Sequence, residues 1–439
     1  MPRLFRLGRD KRVLMVISVL ACGGCERQLY ATTRGLLDRG YEVEIFTLAE
    51  VPAGDESLEP EFRKLAIKIT SAVEFGDTSQ ATAPGADPYG LDFFAPILPQ
   101  LNVNRLASTL SQVIARFRPG VVHCWSEPSS VIGAIVAAAH EVPRTIIQFV
   151  NVPRPQQELD GAELYRKAYR SLARLPNVRM LNISIANARK FEDWLDVARG
   201  KVGLLRNGFV PDTLSVRRGQ EADIIRRKLG IPCNAPTVGA IMRFSPEKDP
   251  DLWLETASII AAARPDVYFV LAGYGALANH VASRIRELRL TGRFILPGPA
   301  NDIGAVYACM DVFLMTSRFE GAPNTLIEAQ AVGIPVVTPA VGGTEETICD
   351  GLTGLLAEGR SAPQIANAVL QVLNNPAWRQ RAAENGPRFV SQNFDWQKKI
   401  DRTIAHYQRD RVGLRRVFDS VITSLRGWRC AKRSIDRLR

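Results

Sequence analysis

The residues whose types and spacing can do chemistry are concentrated in the second half of the chain. Ser317–Arg318–Phe319–Glu320–Gly321–Ala322–Pro323–Asn324–Thr325–Leu326–Ile327–Glu328 follows an apolar run, Val312–Met315, and opens a stretch of helical character that ends near Val332. Pro323 suits a first helical turn, and Gly333 followed by Pro335 stops the helix. Amides around Ala322, Asn324 and Thr325 then form an anion site, because the first-turn N–H groups of a helix point at whatever sits beyond it. Glu328 lies about 7–8 Å along the helix from Pro323 at 1.5 Å per residue. Glu320 precedes the helix, so the two carboxylates can reach hydroxyls on opposite sides of a bound diphosphate, and carboxylates are natural acceptors for vicinal sugar hydroxyls.

Cations stand on a second loop. Ile241–Met242–Arg243–Phe244–Ser245–Pro246–Glu247–Lys248 closes a strand at the start of the second half. Arg243 and Lys248 would hold a diphosphate there and neutralise charge developing on a departing nucleotide. Asp249–Pro250–Asp251 follows, a D-x-D that invites a divalent ion. The spacing fits a helix start better, with Asp249 as N-cap, Pro250 first in the helix and Asp251 favoured by the dipole. No metal site is expected, since the two cations supply the charge an ion would bring. The four histidines, His123, His140, His280 and His406, are scattered, which leaves no His-based cluster.

These loops need strands to carry them. The chain of 439 residues alternates short apolar runs with helical stretches twice over, the pattern of βαβ units and parallel sheets. Expected strands of the first half are Val13–Leu20, Glu42–Thr47, Leu65–Ile69, Val121–Cys124, Arg144–Val150, Arg179–Ile185 and Val202–Leu205. Helices such as Glu26–Arg39, Arg105–Phe117 and Ser130–His140 lie between them. The second half offers Thr237–Met242, Val267–Leu271, Phe294–Leu296, Val312–Met315 and Pro335–Thr338. The charged stretch 211–236 reads as a connection. The organisation expected is a Rossmann-like domain over 1–210, the connection over 211–236, a second Rossmann-like domain over 237–395, and a crossing helix with a basic tail over 396–439. Ligands of such sheets sit outside the carboxyl ends of the strands. Gly23–Gly24, after the first strand, lets a backbone approach a ligand closely. Neither it nor Gly273–Tyr274–Gly275 is a dinucleotide fingerprint.

Together these features resemble the large retaining glycosyltransferase family 4 of the two-domain GT-B fold. The matching residues are Gly23–Gly24–Cys25–Glu26, Asn207–Gly208, Arg243 with Lys248, Gly273–Tyr274–Gly275 and the E-x7-E pair Glu320 and Glu328. Gly342–Gly343–Thr344–Glu345–Glu346 and Asp350–Gly351–Leu352–Thr353–Gly354 are also similar. The resemblance covers about residues 12–400. It implies an α/β fold of two Rossmann-like domains with parallel sheets facing across a cleft, and metal-independent transfer of a hexose-type sugar from a nucleotide-sugar, UDP-sugar by family frequency. It implies that Arg243 and Lys248 bind the diphosphate, Glu328 the ribose, Glu320 the donor sugar, and that Gly24 offers its amide near the phosphates. The helix start from Gly321 to Thr325 completes the donor site. The leaving phosphate is thought to help deprotonate the acceptor, so no acid–base pair of carboxylates is required, unlike glycoside hydrolysis. The nucleotide-sugar is a substrate and no cofactor is expected. A glycan or lipid-linked glycan is the implied acceptor, in bacterial cell-surface polysaccharide synthesis. The alternatives are an idle nucleotide-binding scaffold of the same fold, or GT-B chemistry such as nucleotide-sugar epimerisation.

Two departures stand out: Cys25 replaces a frequent alanine, and Gln148–Phe149–Val150–Asn151 stands where many members carry a histidine. Asn151 and His123 are the acceptor-side candidates, His123 being equally readable as a capped core histidine. Seven scattered cysteines indicate reduced thiols and, with the fold, a cytoplasmic protein. Arg3 to Ala21 imitates a signal peptide, but its apolar run serves as the first strand, and no stretch is long enough to span a membrane. Residues 402–439 hold 11 Lys/Arg against three Asp, a net +8 of the chain's +11. This tail reads either as a basic amphipathic helix on an anionic membrane face or as a closing helix packed on the protein. No nucleic-acid-binding module accompanies the charge.

Overall fold

The computed structural model describes residues 8–50, 57–72, 103–157, 161–214, 219–299 and 302–408. The chain divides into two compact units, Met1–Leu205 with Ile400–Arg439, and Arg206–Lys399.

The first unit is a seven-stranded, wholly parallel sheet. Its strands are β1 (Arg12–Ile17), β2 (Glu42–Thr47), β3 (Lys68–Ser71), β4 (Val121–Trp125), β5 (Arg144–Phe149), β6 (Val178–Asn182) and β7 (Val202–Leu204), ordered β3-β2-β1-β4-β5-β6-β7. Helices α1 (Gly24–Leu37), α2 (Glu59–Lys64), α3 (Val103–Phe117), α4 (Ser129–Ala139), α5 (Ala162–Ala173) and α6 (Ile185–Leu195) connect them. The sheet forms because its runs are apolar on both faces: Val13 to Val16, Val122 and Ile146 have no exposed surface. Helix α4 is Ala/Ile/Val-rich and buried over nearly its whole length, as a helix pressed on a central sheet must be.

The second unit is a six-stranded parallel sheet. Its strands are β8 (Thr237–Arg243), β9 (Tyr268–Tyr274), β10 (Phe294–Ile295), β11 (Val312–Leu314), β12 (Val336–Pro339) and β13 (Gly354–Ala357), ordered β10-β9-β8-β11-β12-β13. Its helices are α7 (Gln220–Lys228), α8 (Pro250–Ala263), α9 (Ala278–Glu287), α10 (Ile303–Ala308), α11 (Asn324–Ala331), α12 (Ala362–Leu373) and α13 (Pro376–Asn393). Helix α14 (Trp396–Gln408) runs through the second unit boundary.

Three local differences from the sequence reading have plain causes. The strand expected at Leu65–Ile69 begins later, at Lys68, because Pro60 starts helix α2 and Ala66 turns the chain at φ +54°. Strand β13 was not anticipated. It is short, and Gly354 lies so close to β12 that a Cβ there would stand 2.4 Å from the Val336 carbonyl oxygen. The stretch 211–236 carries helix α7, which packs on α10, and Leu214 and Ile231 join the core of the second unit. In both sheets the strand order reverses, between β1 and β4 and between β8 and β11. Ligand sites of open parallel sheets form at such points. Among the described residues no helix is long and apolar enough to cross a membrane. Of the basic tail, residues 409–439 lie outside the described residues.

Candidate active site

At the reversal point of the second sheet, the loops after β8 and β11 are stitched together by hydrogen bonds. Arg243 is the exposed last residue of β8. A 3-10 turn, Pro246–Lys248, follows, and Asp249 adopts φ +51° to cap α8, its carboxylate accepting the Leu252 amide at 3.3 Å. Asp249 is therefore the N-cap that the sequence implied. Its other oxygen receives the Arg360 guanidinium and lies 3.4 Å from Arg318 Nε. Asp251 instead pairs with His280 at 2.8 Å and Arg284 at 3.7 Å, so the two aspartates of D-x-D serve different partners. Among the described residues no group of three His, Cys, Asp or Glu is placed to hold a metal. The Thr316 hydroxyl donates to the carbonyls of Lys248 and Asp249 at 3.4 and 3.2 Å, and the Arg318 amide to the Glu247 carbonyl at 2.8 Å.

That stitching brings Lys248 to Glu320. The ammonium lies 2.5 Å from Glu320 Oε1, which also accepts the Ser317 hydroxyl at 2.7 Å. Glu320 is only 7% exposed, and a buried carboxylate is tolerable only with such donors. Its backbone is held from the far side by Gly342. At φ +60°, a Cβ there would stand 2.0 Å from the Glu320 carbonyl oxygen, and the neighbouring Gly343 amide donates to that same carbonyl at 3.3 Å. Gly273–Tyr274–Gly275, weak as a motif, is explained by crowding. A Cβ on Gly275 would meet the Phe244 carbonyl oxygen at 2.6 Å, and the Phe244 amide donates to the Tyr274 carbonyl at 2.7 Å.

Helix α11 starts at Asn324, one residue later than expected: Pro323 is its N-cap with extended ψ of 120°. Gly321, Ala322 and Pro323 are buried, and Asn324 and Thr325 half-buried. The amides of its first turn have no acceptor within the helical ladder, which is the geometry that favours an anion. Asn207 pins this helix start, its side-chain amide donating to the Ala322 carbonyl at 2.9 Å and to Asn324 Oδ1 at 2.8 Å. Glu328, a turn further on and half-buried, accepts the Tyr307 hydroxyl at 3.0 Å. The far end is tied by Gln330, which donates to the carbonyls of Leu326 and Thr347, both at 2.8 Å, and accepts from Thr353 at 2.6 Å. The sequence offers Ser317, Asn207 and Thr353 only as parts of motifs, and gives no sign of Tyr307 or Arg360. Tyr307 and Arg360 carry no local signal, because they act from elements remote in sequence.

The first unit has its own set of loops at the carboxyl ends of the strands. Gly23 caps α1 and Gly24 begins it. Asn151, after β5, accepts the Val152 amide at 2.9 Å, and its carbonyl accepts Asn182 at 3.3 Å. His123 has no exposed surface. It is bonded through Nδ1 to the Tyr407 hydroxyl at 2.8 Å and stacked on Trp125 with ring centroids 4.7 Å apart. Of its two readings, this geometry is that of the capped core histidine. An ion pair the sequence did not reveal, Glu127 with Arg154 at 2.5 Å, stands between the loops after β4 and β5. Burial pushes the Glu127 carboxyl above the usual range against the pull of Arg154, whose guanidinium lies 4.1 Å from the Tyr165 ring centre.

Two doubly wound parallel sheets, with cationic and carboxylate side chains on the loops of the second, define a GT-B glycosyltransferase. Residues 23–208 match the glycosyl transferase 4-like domain and residues 221–389 the glycosyl transferases group 1. The chain belongs to the family 4 glycosyltransferases. It is 25% identical over 430 residues to the Vi polysaccharide biosynthesis protein VipC/TviE of Salmonella typhi, covering 93% of this chain and 74% of that one. It is equally similar, at 25% over 387 residues, to a D-inositol 3-phosphate glycosyltransferase of Corynebacterium aurimucosum, covering 85% and 88%. Among solved structures, Anabaena HepE in complex with UDP and glucose superposes with a TM-score of 0.72 at 18% identity, over 90% of this chain and 98% of that one. WaaG, a glycosyltransferase involved in lipopolysaccharide biosynthesis, gives 0.65 at 16%, over 91% and 100%. At those identities the likeness is one of fold.

Proposed function

We propose that this glycosyltransferase is a retaining, metal-independent enzyme that moves a hexose-type sugar from a nucleotide-sugar, UDP-sugar first, to a glycan or lipid-linked glycan in bacterial cell-surface polysaccharide synthesis. The observation that carries the reading is the Lys248 ammonium 2.5 Å from a nearly buried Glu320, on loops that meet at the reversal point of the second sheet. Arg243 and Lys248 hold the diphosphate beside the first turn of α11, and their charge stabilises the departing nucleotide without an ion. Glu320 accepts hydroxyls of the donor sugar and Glu328 those of the ribose. The bond from the anomeric carbon to the phosphate oxygen breaks, and a bond to the acceptor oxygen forms on the same face. The acceptor's proton passes to the leaving diphosphate. Gly24 lends its amide near the phosphates, and Asn151 serves the acceptor side.

The UDP preference draws support from HepE and TarM, both crystallised with UDP. The polysaccharide role draws support from the name of the Salmonella relative. A thermal-shift screen against UDP-, GDP- and ADP-sugars tests the donor. Release of nucleoside diphosphate only in the presence of acceptor, undiminished by EDTA, tests transfer without metal. NMR of the product's anomeric proton tests retention; release without acceptor would point to a hydrolytic protein, and no release under any condition to an idle one. The net +8 of residues 402–439 supports peripheral attachment of a cytoplasmic enzyme to an anionic membrane face. If protein ending at residue 410 sediments with anionic vesicles as well as the full chain does, the tail is not the anchor.

A further inference from the structure

We propose that Tyr307 is a positioning residue that fixes the Glu328 carboxylate for the donor's ribose, and thereby sets a preference for ribonucleotides over deoxyribonucleotides. The inference rests on the reading of Glu328 as the ribose acceptor. Tyr307 has no exposed surface, and its ring lies 6.0 Å from that of Phe313, on the strand that leads into the active-site loop. It reaches from α10 to α11 and places its hydroxyl 3.0 Å from Glu328 Oε2 and 3.2 Å from the Thr325 carbonyl oxygen. A phenol has one proton to donate. Of the two acceptors the carboxylate is nearer and charged, and hydrogen bonds to charged acceptors are the stronger. Glu328 sits in the middle of α11, and a glutamate there samples several rotamers unless something holds it. A rigid ring anchored in the core holds one oxygen and so fixes the plane in which the carboxylate meets a pair of vicinal hydroxyls.

A merely structural tyrosine would donate to the Thr325 carbonyl and tie α10 to α11. Its loss would weaken every ligand of the site alike. The two roles separate on ligands that differ only in the ribose. Calorimetry with UDP, GDP and ADP finds the nucleoside diphosphate that the full chain binds most tightly. That ligand and its 2′,3′-dideoxy form are then titrated into wild type, Tyr307→Phe and Glu328→Gln. The wild type should favour the ribose form by about tenfold or more. Tyr307→Phe should lose most of that preference, through weaker binding of the ribose form alone, with the dideoxy affinity unchanged. If Tyr307→Phe weakens both forms equally, or neither, while Glu328→Gln abolishes the preference, Tyr307 is structural and the proposal fails. If Glu328→Gln keeps the wild-type preference, or none of the three diphosphates binds, the ribose reading of Glu328 fails first and takes the proposal with it.

Discussion

Lys248→Ala separates two effects that the same side chain produces. At 2.5 Å from Glu320 Oε1, the pair's attraction is about 6–7 kcal/mol at an effective dielectric of 20. Desolvating a carboxylate that is 7% exposed opposes most of it. The Lys248 side chain is 27% exposed, so water screens the remainder. The expected loss in Lys248→Ala is about 2 kcal/mol of stability, most of it the cost of leaving Glu320 buried without the ammonium, with the neutral Ser317 hydroxyl still donating to it. Transfer should fall further, by about 10²–10³ in kcat/KM, the size typical of deleting a group that stabilises developing charge. The double variant Lys248→Ala/Glu320→Gln tells the two apart. Glutamine keeps the volume and carries no charge, so urea unfolding should recover most of the lost stability, while nucleotide release in the presence of acceptor stays as low as in the single variant. A single variant as stable as wild type would mean the ion pair contributes nothing. A double variant regaining activity would mean Lys248 only neutralises Glu320 and never acts on the donor. Either result would falsify the role given to Lys248.

Glu320→Ala should also remove most turnover while circular dichroism stays native; full activity would take Glu320 out of the reaction. Arg360→Ala breaks the contact to Asp249 and the hydrogen bonds to the Thr316 and Ser317 carbonyls, so kcat should drop about tenfold with the overall fold intact, as loop misplacement does; steady-state kinetics with the screened donor would check it. Gly342→Ala puts a Cβ 2.0 Å from the Glu320 carbonyl at φ +60°, and should abolish activity and lower the melting temperature, whereas alanine at Gly200, where a Cβ meets nothing within 4 Å, should cost about 1 kcal/mol for its positive φ alone. Burial holds His140 below its ordinary pKa, so between that lowered value and the unfolded one near 6.5 the unfolded chain binds more protons and stability rises with pH; urea midpoints from about pH 5 to 7 should show the slope, and His140→Gln should flatten it.

Where the second unit's candidate residues lie was mostly legible because they are close together in sequence. Glu320, Pro323 and Glu328 fall within one strand-loop-helix passage, and Arg243, Lys248 and Asp249 within another, so loop order and capping rules were enough to place them. The parallel sheets were legible for the same reason: strands such as Val13–Ile17 are apolar at every position, which only a sheet covered on both faces accommodates. The pairing of Lys248 with Glu320 was not legible, since it depends on the register of β8 against β11 and on the hydrogen bonds from Thr316 and Arg318. Nor was the Glu127–Arg154 pair, whose partners lie 27 positions apart on loops of different strands. His123 shows the limit from the other side, because whether a histidine in a strand faces a ligand or the core is decided by what covers it. Here Tyr407 of helix α14 covers it, 284 positions away.

The pairing of Lys248 with Glu320 also bears on how the site works before any donor arrives. A cation proposed to hold a diphosphate must be kept in place without that ligand, or its ordering is charged against binding. Glu320 does this from below, and Asp249, locked by its own N-cap and by Arg360, fixes the backbone next to Lys248. When phosphate oxygens enter, the ammonium can donate to them while still facing Glu320, since a lysine has three protons to give. The carboxylate therefore keeps its lysine partner throughout. On this view the two residues form one device, in which the charge that binds the nucleotide also holds the carboxylate that faces the sugar. Arginine at 248 tests the geometry: its planar fork is longer and differently directed, so Lys248→Arg should retain nucleotide binding yet lose at least about tenfold in kcat. Wild-type kcat in that variant would show that charge alone suffices and that the position of the ammonium against Glu320 is incidental.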